Sequence, residues 1–333
     1  MLGGTGQIGT ATARRLARDG WEVTLAARTD PPAELGDFGF VRVDRTKDGE
    51  LESALGAGVD LLVDIIPFTI DDGSQLVSLA GRVGSVVAIS SSSVYSDKDG
   101  HALDEASGEN DFPRLPVPIP ERQLTVAPGT ETYSQRKVAI ERLLLGCPEL
   151  RATVIRPAAI YGPRTKHSRE WYFVKRALDA RRTVVLARRG ATRFQTTSVA
   201  NLAELVALCA RRPGTRVLNC GDPEPPTALE IGRLVAAQLG HGWNELLLAT
   251  ADLGTVGDNP WNAPLPFVLD MTEAVLQVGY VPVMTYARAI GETVAWLVEA
   301  TRDQDWRTVL TNSPYLETMF DYAAEDEFLR SQA

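Results

Sequence analysis

Tyr133 and Lys137 stand four residues apart in the stretch Thr132-Tyr133-Ser134-Gln135-Arg136-Lys137. On a helix, positions i and i+4 share one face, so a phenol and an ammonium there can act on the same bound molecule. A nearby cation favours the phenolate, and residue types alone therefore predict that Lys137 lowers the Tyr133 pKa. A tyrosine tuned in this way can give a proton to a carbonyl oxygen or take one from an alcohol. Solvated helix faces carry such pairs too. The meaning of this one depends on two segments upstream, the serine run Ser90-Ser91-Ser92-Ser93 and a glycine-rich loop at the N-terminus.

The elements that must position these groups follow from hydrophobic period. Residues 133–145 read as an amphipathic helix, as do 10–19 and 75–82. Residues 21–27, 39–43, 60–66, 85–90 and 152–155 read as strands, several of them apolar throughout as buried parallel strands are. Strand and helix in alternation predict an α/β fold, a doubly wound parallel sheet covered on both faces. Beyond residue 165 the pattern changes. Loops rich in proline, tryptophan and charge (162–170 and 255–267) separate helices at 171–180, 199–211, 228–239 and 290–301. The predicted division is a dinucleotide-binding domain over 1–165, with 196–220 returning to it. A smaller, partly interleaved C-terminal substrate lobe and tail take 166–195 and 221–333. Leu316, Met319, Phe320 and Ala323 sit at helical spacing and predict a surface helix packed on the body.

The N-terminal loop reads Gly3-Gly4-Thr5-Gly6-Gln7-Ile8-Gly9. Glycines at 3, 6 and 9 allow a tight turn, close approach to a pyrophosphate, and close packing of helix on strand. The helix that follows offers its positive end to phosphate. Gly3, Thr5, Gly6, Gln7, Ile8 and Gly9 are therefore cofactor-binding candidates. A first strand of five or six residues would ordinarily precede such a loop. Only Met1 and Leu2 do here, which implies either a start downstream of the true one or a stub strand that weakens the sheet. The second strand ends Ala26-Ala27-Arg28-Thr29. An acid at its end would bind a ribose 2′-hydroxyl, but Ala27 stands there. Arg28 suits a 2′-phosphate, so NADP(H) is expected before NAD(H), with Asp30 still able to reach a hydroxyl.

Composition narrows the classes. The 333 residues carry a formal charge of −9 and a pI near 5.0, which disfavours nucleic acid and anionic membrane as partners. Cys147, Cys209 and Cys220 match no zinc spacing and read as reduced thiols of a cytoplasmic protein. His101, His167 and His241 are scattered, and no metal site is expected. No apolar run of about 18 residues suggests a membrane span, and the N-terminus does not read as a signal peptide.

Taken in order, these motifs resemble the extended short-chain dehydrogenase/reductases of the NAD-dependent epimerase/dehydratase type, whose nucleotide-binding domain has the Rossmann fold. The order is the glycine loop, Asp44, the segment SSSSVYS at 90–96, Tyr133-x-x-x-Lys137, and RPAAIYGP at 156–163. The resemblance covers residues 1 to about 199, and 275–282 is similar to a segment near the family's C-terminus. It implies Ser91, four residues before Tyr95, as the catalytic hydroxyl with Tyr133 and Lys137. It implies Asp44 on the adenine amino group, and Pro157 and Ile160 beside the nicotinamide. It also implies a homodimer through helices 75–82 and 133–145. Ser92 and Ser93 stand where dehydratases carry acids, which argues against sugar dehydration. Pro67-Phe68 replaces the usual small-residue turn, and Arg193 is offset by one from a phosphate-binding arginine.

The expected activity is an NADP(H)-dependent oxidoreductase that reduces a carbonyl or oxidises an alcohol of a small molecule. Lys137 would hold the nicotinamide ribose, Tyr133 would transfer the proton, and Ser91 would hold the substrate oxygen. Two alternatives stay open. One is an epimerase acting on a sugar or nucleotide sugar through transient oxidation, and the other is a non-catalytic dinucleotide-sensing protein.

Overall fold

The computed structural model describes residues 1–251 and 253–332. Ten strands are β1 (Thr24–Ala27), β2 (Gly39–Arg42), β3 (Val59–Asp64), β4 (Val83–Ile89), β5 (Ala152–Pro157), β6 (Ala159–Tyr161), β7 (Thr183–Leu186), β8 (Thr196–Ser198), β9 (Arg216–Cys220) and β10 (Asn244–Leu247) among the described residues. The α-helices are α1 (Gln7–Arg18), α2 (Glu50–Leu55), α3 (Ile70–Ser78), α4 (Tyr133–Leu145), α5 (Trp171–Leu178), α6 (Val199–Arg211), α7 (Ala228–Gln238), α8 (Thr272–Val278), α9 (Tyr286–Ala300), α10 (Trp306–Val309) and α11 (Tyr322–Ser331). The chain divides into two units. One comprises Met1–Ile160, Thr197–Gly221 and Leu269–Val283, the other Tyr161–Thr196, Asp222–Val268 and Met284–Ala333.

The first unit is built on a parallel sheet. β1 pairs with β2, and β3, β4, β5 and β9 follow one another in register. Leu2 joins the two halves by bridging to Ala26 on one side and Asp64 on the other. Its N–H donates to Val63 at 2.9 Å, and its carbonyl accepts from Ile65 at 3.2 Å. Leu2 thus holds the central position of the sheet and is only 3% exposed.

Side chains leave each strand alternately. Val63, Val87, Ile89, Ile155 and Leu218 enter a core with Leu16 of α1 and Leu202, Leu205 and Val206 of α6. Their neighbours Leu62, Val86, Ala88 and Val154 enter an opposite core with Leu76 of α3 and Ile140 and Leu144 of α4. Burial on both faces explains why these strands read as continuous apolar runs.

Two local predictions need correction. Sequence period places a helix over 75–82, but α3 begins at Ile70. The Thr69 hydroxyl and the Asp72 carboxylate close a capping box there. The same period assigns 269–283 to the substrate lobe. These residues group with the first unit, where α8 packs on α6 and Asn219 donates to the Asp270 carbonyl at 2.9 Å.

In the second unit α5, α7 and α9 pack together, and β7 pairs in parallel with β10. Trp171, Tyr172, Trp261 and Phe267 are buried core residues. The tail is a 3-10 turn over Pro314–Phe320 followed by α11, rather than one helix. Leu316 is fully buried, and Glu325 pairs with Arg176 and Arg181, each at 3.1 Å.

Candidate active site

The glycine loop lies between Leu2 and α1. Gly3 adopts φ +73°, a left-handed conformation that side chains resist. A Cβ on Gly9 would stand 2.5 Å from the Gly4 carbonyl oxygen, so only glycine lets α1 pack this close. Gly6 is the N-cap, and no acidic residue occupies the first turn of α1. The amides there suit an anion, as a pyrophosphate requires.

At the far end of β1, Arg28 is exposed and borders a cleft of about 600 Å³ with Val41, Arg42, Asp44, Lys47, Glu50, Ser53 and Ala54. Asp44 accepts from the Thr46 hydroxyl at 2.7 Å and its N–H at 3.2 Å, bonds that hold its carboxyl below the usual range. Arg42 and Lys47 are cations that the motif reading overlooked. Arg42 donates to the Arg28 carbonyl at 2.9 Å and pairs with Asp30 at 2.6 Å. The signal was a polar residue at a strand end, too common in sequence to single out.

The serine run ends β4. Ser91 caps a 3-10 turn at Ser92–Val94, its Oγ accepting from the Ser93 N–H at 3.1 Å. Ser93 Oγ lies 2.9 Å from Ser91 Oγ and 2.7 Å from Ser134 Oγ, and the Ser134 N–H donates to Asp104 at 2.7 Å. Ser90 turns away and donates to Glu141 at 2.5 Å, where Arg156 also binds at 3.0 Å. That buried pair ties β4 and β5 to α4, one turn beyond Lys137.

Tyr133 opens α4, capped by Thr132, whose side chain accepts from the Gln135 N–H. Ser91 lies next to the phenol and favours its ionised form. The two residues that the resemblance names for proton transfer and substrate-oxygen binding therefore meet. Lys137 is 2% exposed. Its ammonium donates to the carbonyls of Pro67 at 2.7 Å and Ile89 at 2.9 Å, and lies 5.5 Å from the Tyr133 ring centroid and 4.9 Å from that of Phe68.

The expected depression of the Tyr133 pKa is not found. Burial pushes the phenol up to about 12, against a lowering influence of the neighbouring Ser91. Burial likewise pulls Lys137 down to about 8. The ammonium is committed to two carbonyls rather than to the phenol, so the pair shares a face without yet sharing a proton.

Pro157 ends β5, opposite Cys220 of β9. Its neighbour Ala158 donates to the Cys220 carbonyl at 3.2 Å and to Thr197 Oγ1 at 3.0 Å, and Ile160 is half-buried against the α1/α6 core. Both lie at the carboxyl edge of the sheet, the side on which ligands of such sheets bind. In the second unit, Arg193 bonds the Pro225 carbonyl at 2.5 Å and faces Glu230 at 3.5 Å. His167 is paired with Tyr315 at 3.2 Å. Among the described residues no cluster of three or more His, Cys, Asp or Glu could hold a metal, and no helix is long and apolar enough to cross a membrane.

A doubly wound sheet, a glycine turn at its switch point, and a Ser/Tyr/Lys set at the carboxyl edge define a dinucleotide-binding enzyme class. The model of the NAD dependent epimerase/dehydratase family matches residues 1–221, and the chain belongs to that enzyme family. No curated protein matches the sequence. Among solved structures, a UDP-galactose 4-epimerase is similar with TM-score 0.66 and 20% identity, over 90% of this chain and 98% of that one. The dTDP-glucose 4,6-dehydratase of Bacillus anthracis, in complex with NAD, gives 0.66 and 16% over 91% and 97%. The UDP-glucuronic acid 4-epimerase of Bacillus cereus, with UDP-glucuronic acid and NAD, gives 0.65 and 17% over 90% and 98%. These likenesses establish the Rossmann-type fold.

Proposed function

We propose that the protein is an NADP(H)-dependent oxidoreductase that interconverts an alcohol and a carbonyl on a small molecule. The observation that carries this reading is the placement of Ser91 and the Tyr133 phenol next to each other beside the buried Lys137. Tyr133 transfers the proton at the substrate oxygen. Ser91 donates to that oxygen and fixes its place. Lys137 holds the ribose on the nicotinamide side and supplies positive charge when the phenolate forms. The nicotinamide, when bound, supplies the hydride chemistry.

The remaining candidates would hold the cofactor. Gly3, Thr5, Gly6, Gln7, Ile8 and Gly9 would cradle the pyrophosphate, Asp44 the adenine, and Pro157 and Ile160 the nicotinamide side. Preference for the 2′-phosphate is supported by Arg28 at an acid-free strand end and by Arg42 and Lys47 around the same cleft. The protein is read as cytoplasmic, in keeping with its low cysteine count, and as a homodimer.

A second reading is favoured by the neighbours, two of which are named as 4-epimerases of UDP-sugars. In it the same three residues remove and return hydrogen with no net redox change. Thermal-shift measurements with NADPH, NADH and nucleotide sugars separate the readings. Stabilisation by NADPH well above NADH supports the proposal. NAD(H) co-purifying, with a further shift from a nucleotide sugar, supports the epimerase. No shift with any of them contradicts both.

A further inference from the structure

The loop that holds Lys137 is itself held by charge. Arg45, next to Asp44, turns inward. Its Nη1 donates to Asp64 Oδ2 at 2.6 Å, and its Nε lies 2.9 Å from Asp72 Oδ1. It also donates to the Asp72 carbonyl and to Gln75 Oε1, both at 3.2 Å. Asp64 closes β3 in full burial, and its Oδ1 accepts from the Ile66 N–H at 3.0 Å. Asp72 Oδ2 accepts from the N–H groups of Phe68 at 2.8 Å and Thr69 at 2.9 Å. One guanidinium thus pins both ends of the loop between β3 and α3. Between the pins, Pro67 presents its carbonyl to the Lys137 ammonium.

We propose that Asp64 and Asp72, fixed in place by Arg45, are positioning residues that hold the Lys137 ammonium at the site and keep it charged. The inference rests on the reading of Lys137 as the cofactor-side lysine. Stability alone is a poor reason for such a cluster, because well-packed apolar residues serve buried positions at least as well as ion pairs do. Its charge has a direct use. One cation and two carboxylates leave a net negative bracket beside a buried ammonium, which burial would otherwise discharge. The groups facing Lys137 are Asp64, Glu141 and Asp72, which favour its charge, and Arg45, which opposes it, with Asp64 the strongest of the four. The Tyr133 and Phe68 rings complete the surroundings. Burial raises the Asp64 pKa, and the paired Arg45 works against that rise.

The test is an NMR titration of Lys137 in cofactor-free protein carrying 13C-labelled lysine. Asp64→Asn removes the strongest favourable charge and leaves that of Arg45. The expected result is proton affinity at Lys137 weakened by about tenfold. Adding Arg45→Met to Asp64→Asn removes the opposing cation, and the affinity returns toward wild type. An unchanged titration in Asp64→Asn overturns the proposal, as does a further weakening in the double variant, which is what mere loss of packing would give. Should Asp64→Asn fail to fold, Asp72→Asn must shift the titration in the same direction. Because the readout needs neither cofactor nor turnover, its failure leaves the proposed activity standing, and failure of NADPH binding leaves this inference standing.

Discussion

The Lys137 ammonium lies 2.7 Å from the carbonyl oxygen of Pro67, deep beneath the loop between β3 and α3. The contact explains how a lysine this buried stays in place, and its burial has a consequence for stability. Burial lowers the Lys137 pKa to about 8 from an ordinary 10.5. Between those values the unfolded chain binds the proton and the folded chain does not, so stability rises with pH across the window. The cost of the buried charge is fully present below it. The size is roughly 3 kcal/mol. Denaturant unfolding of wild type and Lys137→Met from about pH 7 to about pH 10 should show wild type gaining on the variant as pH rises. Equal slopes would contradict a buried ammonium.

Gly9 and Gly6 should separate under substitution. Gly9→Ala drives a Cβ into the Gly4 carbonyl and should cost about 2–3 kcal/mol, read as a lower denaturation midpoint. Gly6→Ala meets nothing closer than 3.5 Å, at a φ of −83° that alanine tolerates, and should keep near wild-type stability. If the pyrophosphate sits against that backbone, the new methyl group abolishes the NADPH thermal shift. Retained binding in Gly6→Ala would move the pyrophosphate elsewhere.

Arg28 carries the cofactor preference. Arg28→Ala should weaken NADPH roughly ten- to a hundredfold, the worth of one charge-assisted hydrogen bond, and leave NADH within about twofold. Titration calorimetry with both dinucleotides measures the ratio. Equal losses for both would remove the argument for a 2′-phosphate.

Much of this was legible in the sequence, for physical reasons. Strands buried on both faces, such as β3 and β4, announce themselves as apolar runs, and α4 begins and ends where its period says. The order of glycine loop, serine run and Tyr/Lys pair locates a site because each has a fixed place on the sheet edge. The start of α3 is not legible from period, because it is set by the capping box between Thr69 and Asp72, which shows itself only once the two are seen to bond. Arg45 was passed over altogether. Its partner Asp64 lies nineteen residues away, and no local pattern links them. The sign of the Tyr133 shift failed for a related reason. Spacing shows that a cation is near, but not that burial outweighs it.

The Glu141–Arg156 pair that anchors the serine run should be costly to split. Both side chains are buried, 4% and 6% exposed. Glu141→Gln leaves the guanidinium without a carboxylate and should destabilise by about 3–5 kcal/mol. Ser90→Ala, which removes one hydrogen bond to the same carboxylate, should cost about 1 kcal/mol. Chemical denaturation of both variants checks the ratio, and equal effects would mean that the ion pair contributes little.

The central claim is that Tyr133 moves the substrate proton. It is tested most directly by the turnover of Tyr133→Phe, beside wild type, on a substrate that wild type converts from a panel of nucleotide sugars and small carbonyl compounds. The account predicts a fall of about 10²- to 10⁴-fold, with the cofactor-induced thermal shift intact. Full turnover in Tyr133→Phe would contradict it.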